Sequence, residues 1–198
     1  MNIAPQETRP YRMDKRAAFR EETRKRILDA ARALWLERWY DEMTLRELAE
    51  HAGVALQTVV NHFGSKNGVA AAMLEEPLPE EWMTRAAAHP GEIAEALELL
   101  VADYELTGDA LIRSLALEGR IPALHPVLEL GRRAHRAWVE HVFGAALAGL
   151  AGEARARRLD LLVCAADLYT WKLLRRDRGL SQAQTAEAMR ELVEALHP

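Results

Sequence analysis

Along its 198 residues the chain nowhere sustains the apolar–polar alternation of a strand, while apolar side chains return at spacings of three and four. That repeat restricts the fold to helices packed on helices, because only a 3.6-residue period places such positions on one face. Glycines and prolines fall mainly between the periodic segments, where they punctuate helices. The expectation is an all-α protein of about nine helices.

The first helix is expected from about Arg20 to Arg38, with Ile27, Leu28, Ala31, Leu34 and Trp35 on one face. Thr44-Leu45-Arg46-Glu47 then reads as a capping box, in which threonine accepts the amide hydrogen of Glu47 and the glutamate reaches back. The short helix that follows buries Leu45, Leu48, Ala49 and Ala52 and stops at Gly53. A third helix spans Ala55 to Phe63, and Ser65 caps a fourth that Pro77 and Pro79 break or kink. Beyond the His89-Pro90-Gly91 loop, helices are expected over Glu92–Thr107, Asp109–Glu118, Pro126 to about Ala148 and Glu153–Arg178. Ser181-Gln182-Ala183-Gln184, a second capping box, opens a last helix to Leu196.

A hydrophobic content of 49% is too high for a disordered chain. The single cysteine, Cys164, excludes an internal disulfide framework and any cysteine-based zinc site, and its apolar neighbours predict a buried, inert thiol. Charges at Glu7, Arg9, Arg12, Asp14 and Lys15 interrupt any apolar leader, and the uncharged stretch Val142–Gly152 is too short to span a bilayer. A cytoplasmic protein without membrane contact is expected. The chain contains no Gly-rich phosphate loop or nucleophile elbow, and its one Glu-x-x-His pair, Glu194–His197, lies at the C-terminal end, so neither an enzyme nor a metal or cofactor site is expected.

The net charge of −4 is unevenly distributed. Residues 1–74 hold 12 Lys/Arg against 10 Asp/Glu, whereas residues 75–198 hold 14 against 20. Between Arg9 and Arg32, nine basic residues face four acidic ones. One end is therefore suited to a polyanion and the other is not. The basic block alone is compatible with a solvated helix face; a motif beside it changes its weight.

That motif is the pair of short helices joined through Gly53, a helix-turn-helix pattern whose second helix fits the DNA major groove. Leu56, Val59, Val60 and Phe63 cluster on one side of that helix, and Gln57, Thr58, Asn61 and His62 on the other. Gln and Asn pair bidentately with adenine, and threonine contacts phosphate or a thymine methyl. A face meant only for water normally carries Lys and Glu; this arc has no carboxylate.

Thr44-Leu45-Arg46-Glu47-Leu48-Ala49, Ala52-Gly53-Val54, Thr58 and His62-Phe63-Gly64-Ser65-Lys66 together resemble the DNA-binding domain of the tetracycline-repressor (TetR) family. Residues 131–138 and 169–177 are similar to its actinobacterial members. With residues 1–19 read as a basic arm from their charge, the resemblance implies a three-helix DNA-binding domain over 20–66 and a helical ligand-binding and dimerisation domain over 67–198. It implies a homodimer on a near-palindromic operator, most simply a repressor released by a small-molecule effector. Thr44, Arg46, Leu56, Gln57, Thr58, Asn61 and His62 would meet the DNA and Lys66 would grip phosphate. Independently of the resemblance, Arg9, Arg12, Lys15 and Arg16, which precede the expected first helix, either form an arm along the phosphates or in the minor groove or belong to a disordered tail. An effector pocket is expected around Trp82, Tyr104, His135, Trp138 and Val142, and a dimer interface on two apolar stripes, one of Leu162, Ala166, Tyr169 and Leu173 and one that includes Met189, Leu192 and Leu196. The alternative is a helical ligand-binding or adaptor protein of this fold with weakened or lost DNA binding. Four departures stand out: Ala55 for a capping serine or threonine, Val60 for a phosphate-binding tyrosine, Trp39 for a glycine, and Gly68 for a helix former.

Overall fold

The computed structural model describes residues 9–75 and 84–197, with side chains from Lys15 onward except that of Leu74. The expected breaks at Pro77 and Pro79, and the first residues of the basic arm, lie outside it. Every α-, 3-10 or π-turn element among the described residues is helical and none is a strand, as the periodicity requires. The chain divides into two compact units, residues 1–76 and 77–198.

In the first unit, α1 (Arg9–Glu37) starts at Arg9 rather than near Arg20. The described side chains of the added turns, residues 15–19, are all exposed, so no core contact marks these turns as part of the helix. They hold Pro10 only in the first turn, where a missing N–H costs nothing. Helix α2 (Leu45–His51) carries the expected capping box, with the Glu47 amide donating to Thr44 Oγ1 at 3.1 Å and the Thr44 amide to Glu47 Oε2 at 3.0 Å. Gly53 turns the chain at φ 62°, and α3 (Leu56–Phe63) follows without a side-chain cap, because Ala55 has no acceptor. Helix α4 (Lys66–Glu75) opens with the Gly68 amide donating to Ser65 Oγ at 3.1 Å. It packs on α1 and α3, so the compact unit runs past the division expected after residue 66. The core joins Ile27, Leu28, Ala31 and Leu34 of α1 to Leu48, Ala49, Val59, Val69 and Ala72. Burying each of the larger side chains contributes about 1.5–3 kcal/mol.

Two of the unusual residues have local explanations. The helix ends before Trp39, whose carbonyl accepts from the amides of Glu42 and Met43, and no non-glycine residue among those described has a positive φ. The turn therefore needs no glycine. At Gly68, a Cβ would lie 1.9 Å from the Phe63 carbonyl oxygen, so close approach of α4 to the end of α3 requires the bare backbone.

The second unit is built on α5 (Ile93–Leu117), one continuous helix where two were expected. Thr107 and Ser114 return their hydroxyl hydrogens to the carbonyls of Asp103 and Ala110, so neither breaks the helix. Gly108 lies against Trp171, which a Cβ would approach to 2.6 Å. Helix α6 (His125–Val142) ends sooner than expected and passes into a 3-10 turn over Gly144–Leu147. The expected long helix from Glu153 to Arg178 is divided: α7 (Gly152–Ala165) stops, and Asp167 caps α8 (Leu168–Lys172) by accepting the Tyr169 amide at 2.8 Å. A π-turn over Leu173–Asp177 continues α8. Glu105 of α5 anchors this segment, accepting from Trp171 Nε1 at 3.2 Å and Arg175 Nε at 2.8 Å, while Arg176 stacks 4.5 Å over the Trp171 ring and pairs with Asp109. Helix α9 (Gln182–Glu194) opens with the second capping box and packs on α5. The core gathers Leu97, Leu100 and Val101 with Val139, Phe143, Leu162, Trp171, Met189 and Val193. No helix among the described residues is long and apolar enough to cross a membrane.

Candidate nucleic-acid interface

Val59 is fully buried and seats α3 on the first unit's core, which leaves Leu56, Gln57 and Asn61 exposed and Thr58 and His62 partly so. Gln57 Nε2 donates to Asn61 Oδ1 at 2.9 Å, one helical turn away. This bond holds both amides on the outward face and leaves the Gln57 oxygen and the Asn61 amide hydrogens available for base edges. Burial, with Arg20 and Arg24 close by, holds the His62 imidazole below its ordinary pKa, while Glu21 opposes more weakly. His62 is therefore neutral near pH 7 and offers one donor and one acceptor. Val60, in place of a phenol, contributes no hydrogen bond from its side chain.

Thr44 and Arg46 stand exposed at the start of α2. The Thr44 hydroxyl is engaged with Glu47, whose carboxyl the capping bonds hold below the usual carboxylate range. Lys66 differs from its expected role. Its ammonium donates to the carbonyl oxygens of Tyr40 at 2.7 Å, Met43 at 2.9 Å and Asp41 at 3.4 Å, and lies 4.7 Å from the Tyr40 ring centroid. Three N–H donors meet three carbonyls, so the side chain ties the α1–α2 turn to α4 instead of extending towards phosphate. Tyr40 Oη donates to Asn67 Oδ1 at 2.8 Å, adding a second link between the same two segments. The pattern Tyr-Asp-x-Met before α2 and Lys at the start of α4 carries this signal, but only the fold brings the two together.

Lys15 and Arg16 are exposed on α1, so the arm in this region is a helix and not an extended strand. The side chains of Arg9 and Arg12 lie outside the described set.

In the second unit, the expected effector residues are interior. Tyr104 and Val142 belong to the core, and the Tyr104 hydroxyl donates to the Ala166 carbonyl at 3.1 Å, with burial raising its pKa far above the ordinary phenol. Trp138 stacks on His135 and donates from Nε1 to the Arg85 carbonyl at 2.9 Å. His135 is buried, and neither ring nitrogen makes a well-formed hydrogen bond among the described residues. Burial foremost, reinforced by Arg85, lowers its pKa to about 4, with Asp167 and the Val163 backbone opposing. Arg85 also pairs at 3.7 Å with Asp103, whose carboxyl burial raises. Trp82 lies outside the described residues. A groove of about 530 Å³ between α5 and α9 is lined by Ala94, Glu98, Ala186 and Arg190 among others, and by none of the expected pocket residues.

The expected dimer set separates by direction. Leu162, Ala166 and Met189 are fully buried in their own unit, and this corrects their assignment to an interface. Tyr169, Leu173 and Leu192 are exposed, Leu196 is half-buried, and Leu161, outside the expected set, is exposed as well. Helix α7 ends at Ala165 and Asp167 caps α8, so Leu162 and Tyr169 do not share one continuous helix. Cys164 is exposed, contrary to the expected buried thiol.

Comparison with known proteins fits this geometry. Residues 27–73 match the model of "Bacterial regulatory proteins, tetR family". The chain is 40% identical over 68 residues to HTH-type transcriptional regulator AlkX of Mycobacterium tuberculosis, covering 34% of this chain and 30% of that protein. It is 41% identical over 54 residues to YvkB of Bacillus subtilis, described as an uncharacterized HTH-type transcriptional regulator, covering 27% and 29%. The match thus spans under a third of either curated relative. The crystal structure of a transcriptional regulator from Rhodococcus sp. Rha1 shares the fold at a TM-score of 0.66 and 17% identity, over 87% of this chain and 95% of that one. The capped α2, the glycine turn and the polar α3 arc all lie inside the matched segment, so residues 27–73 form a domain of the tetR family of bacterial regulatory proteins.

Proposed function

We propose that this chain is a DNA-binding transcriptional repressor that acts as a homodimer on a near-palindromic operator and is released by a small molecule. The observation that carries the reading is the carboxylate-free arc of Gln57, Thr58, Asn61 and His62, held outward on α3 by the buried Val59. Thr44 and Arg46 flank that arc from α2. Dimerisation is supported by the exposed apolar residues Leu161, Tyr169, Leu173 and Leu192 on α7, α8 with its π-turn, and α9. Two symmetric copies of such a surface would form an isologous interface, whose two-fold symmetry a near-palindromic operator matches.

Effector response is supported by His135. A buried neutral imidazole whose ring nitrogens make no well-formed hydrogen bond has polar capacity that a polar group on an otherwise apolar ligand would satisfy beside Trp138. Such a ligand would have to displace packed core, and it would lower operator affinity by its differential binding to the two states. Selection of bound duplexes from a random pool by the full chain, followed by salt titration of the enriched sequence, tests the reading. Enrichment of an inverted repeat supports it; a chain that enriches no sequence and forms no salt-sensitive complex is instead an adaptor of this fold.

A further inference from the structure

The first turns of α1 stand outside the core they lead to. Residues 15–22 are exposed on all sides, and Thr23 is the first described residue of the helix to be buried. From there Thr23, Ile27, Ala31 and Leu34 carry one helical register into the core. Followed backward from Ile27, the same side of the helix carries Arg24, Arg20, Arg16, Arg12 and Arg9, at intervals of three, four, four, four and three. Phe19, 70% exposed, borders this row one turn before Thr23. Beside that single apolar side chain, the face that is apolar in the core becomes cationic at its edge. Glu21 and Glu22 fall towards the other side of the helix.

The stripe runs into the reading helix. Arg24 lies 5.2 Å over the ring of Phe63, the last residue of α3, and Arg20 and Arg24 both act electrostatically on His62. Arg9 to Arg24 covers about 22 Å at the helical rise. That is comparable to some six phosphates along one DNA strand. A helix about 10–12 Å across cannot enter a minor groove about 6 Å wide, so the arm expected there from the sequence has only the backbone to follow. Arginine forks match phosphate oxygens bidentately.

We propose that the arginine stripe of α1 is a second DNA contact, which tracks the phosphates flanking the site read by α3. This rests on the DNA-binding reading above. The test uses the full chain and its enriched duplex, comparing wild type, Arg16→Gln/Arg20→Gln and Arg16→Lys/Arg20→Lys at several salt concentrations. Both positions precede the buried part of α1, so all three should melt alike. The expected result for the glutamine variant is weaker binding by about tenfold or more and a log–log salt slope shallower by about 0.9 per lost contact. The lysine variant keeps most of the slope, and trimming the flanks of the duplex abolishes the difference between wild type and glutamine variant. A wild-type slope unchanged by the glutamine substitutions overturns the proposal while leaving DNA binding by α3 intact. Loss of binding to phosphatidylglycerol vesicles with DNA binding unchanged also overturns it, in favour of a membrane surface. If wild type itself forms no salt-sensitive complex, the underlying DNA reading fails.

Discussion

Replacing Lys66 with methionine separates two roles for one ammonium group. In the structure it donates to three carbonyl oxygens at 2.7, 2.9 and 3.4 Å, and partial burial lowers its pKa while Asp41 holds it up. Hydrogen bonds from a charged donor contribute about 1.5–3 kcal/mol each when well formed and buried. The third bond is long and the site is half-open to water, which can re-solvate the carbonyls, so the expected loss is about 2 kcal/mol in total. For a unit of this size that lowers the melting temperature by about 10 °C. Thermal unfolding of wild type and Lys66→Met, followed by circular dichroism, measures it. DNA binding at a temperature where both are folded should then show a salt slope changed by much less than one. A variant with unchanged stability and a slope shallower by about 0.9 per protomer would refute the staple and restore the phosphate grip.

Other expectations follow from single residues. His135 has a pKa of about 4 in the fold, against about 6.5 in an unfolded chain, so the unfolded state takes up the proton first as pH falls. Its contribution is therefore absent above pH 6.5 and destabilising below, reaching about 2 kcal/mol by pH 5. Urea unfolding of wild type and His135→Leu at pH 7.5 and pH 5 should show the variant losing less stability by that amount, and parallel losses would contradict the burial argument. Gly68→Ala should lower stability by about 2–3 kcal/mol despite alanine's helix preference of about 1 kcal/mol, since its Cβ would overlap the Phe63 carbonyl. A rise in melting temperature would show that α4 moves freely from α3. Leu173→Glu together with Leu192→Glu, both on exposed sites, should leave the monomer folded and shift sedimentation towards monomer at micromolar concentration. A dimer unaffected by both charges would place the interface elsewhere.

The sequence by itself determined what depends on neighbours along the chain. Both capping boxes, the Gly53 turn, the uncapped start of α3 and its two-sided composition are contacts within one or two helical turns, readable from spacing. Where apolar periodicity is continuous but one local bond redirects the backbone, spacing misleads. Asp167 divides α7 from α8 with a single acceptor, and the stripe that seemed to face a partner splits into buried Leu162 and exposed Tyr169. Where a helix extends past the core, no core contact marks its turns, and α1 gains its exposed arginine turns unseen. The tertiary structure alone decided the contacts between residues far apart in the chain: Lys66 and Asn67 on the turn at Tyr40, the carbonyl of Phe63 against Gly68, Glu105 beneath Trp171, and His135 enclosed without a full set of partners. A donor's acceptor, and a histidine's lack of one, depend on which surfaces are brought together when the core closes, and residue spacing does not encode that choice.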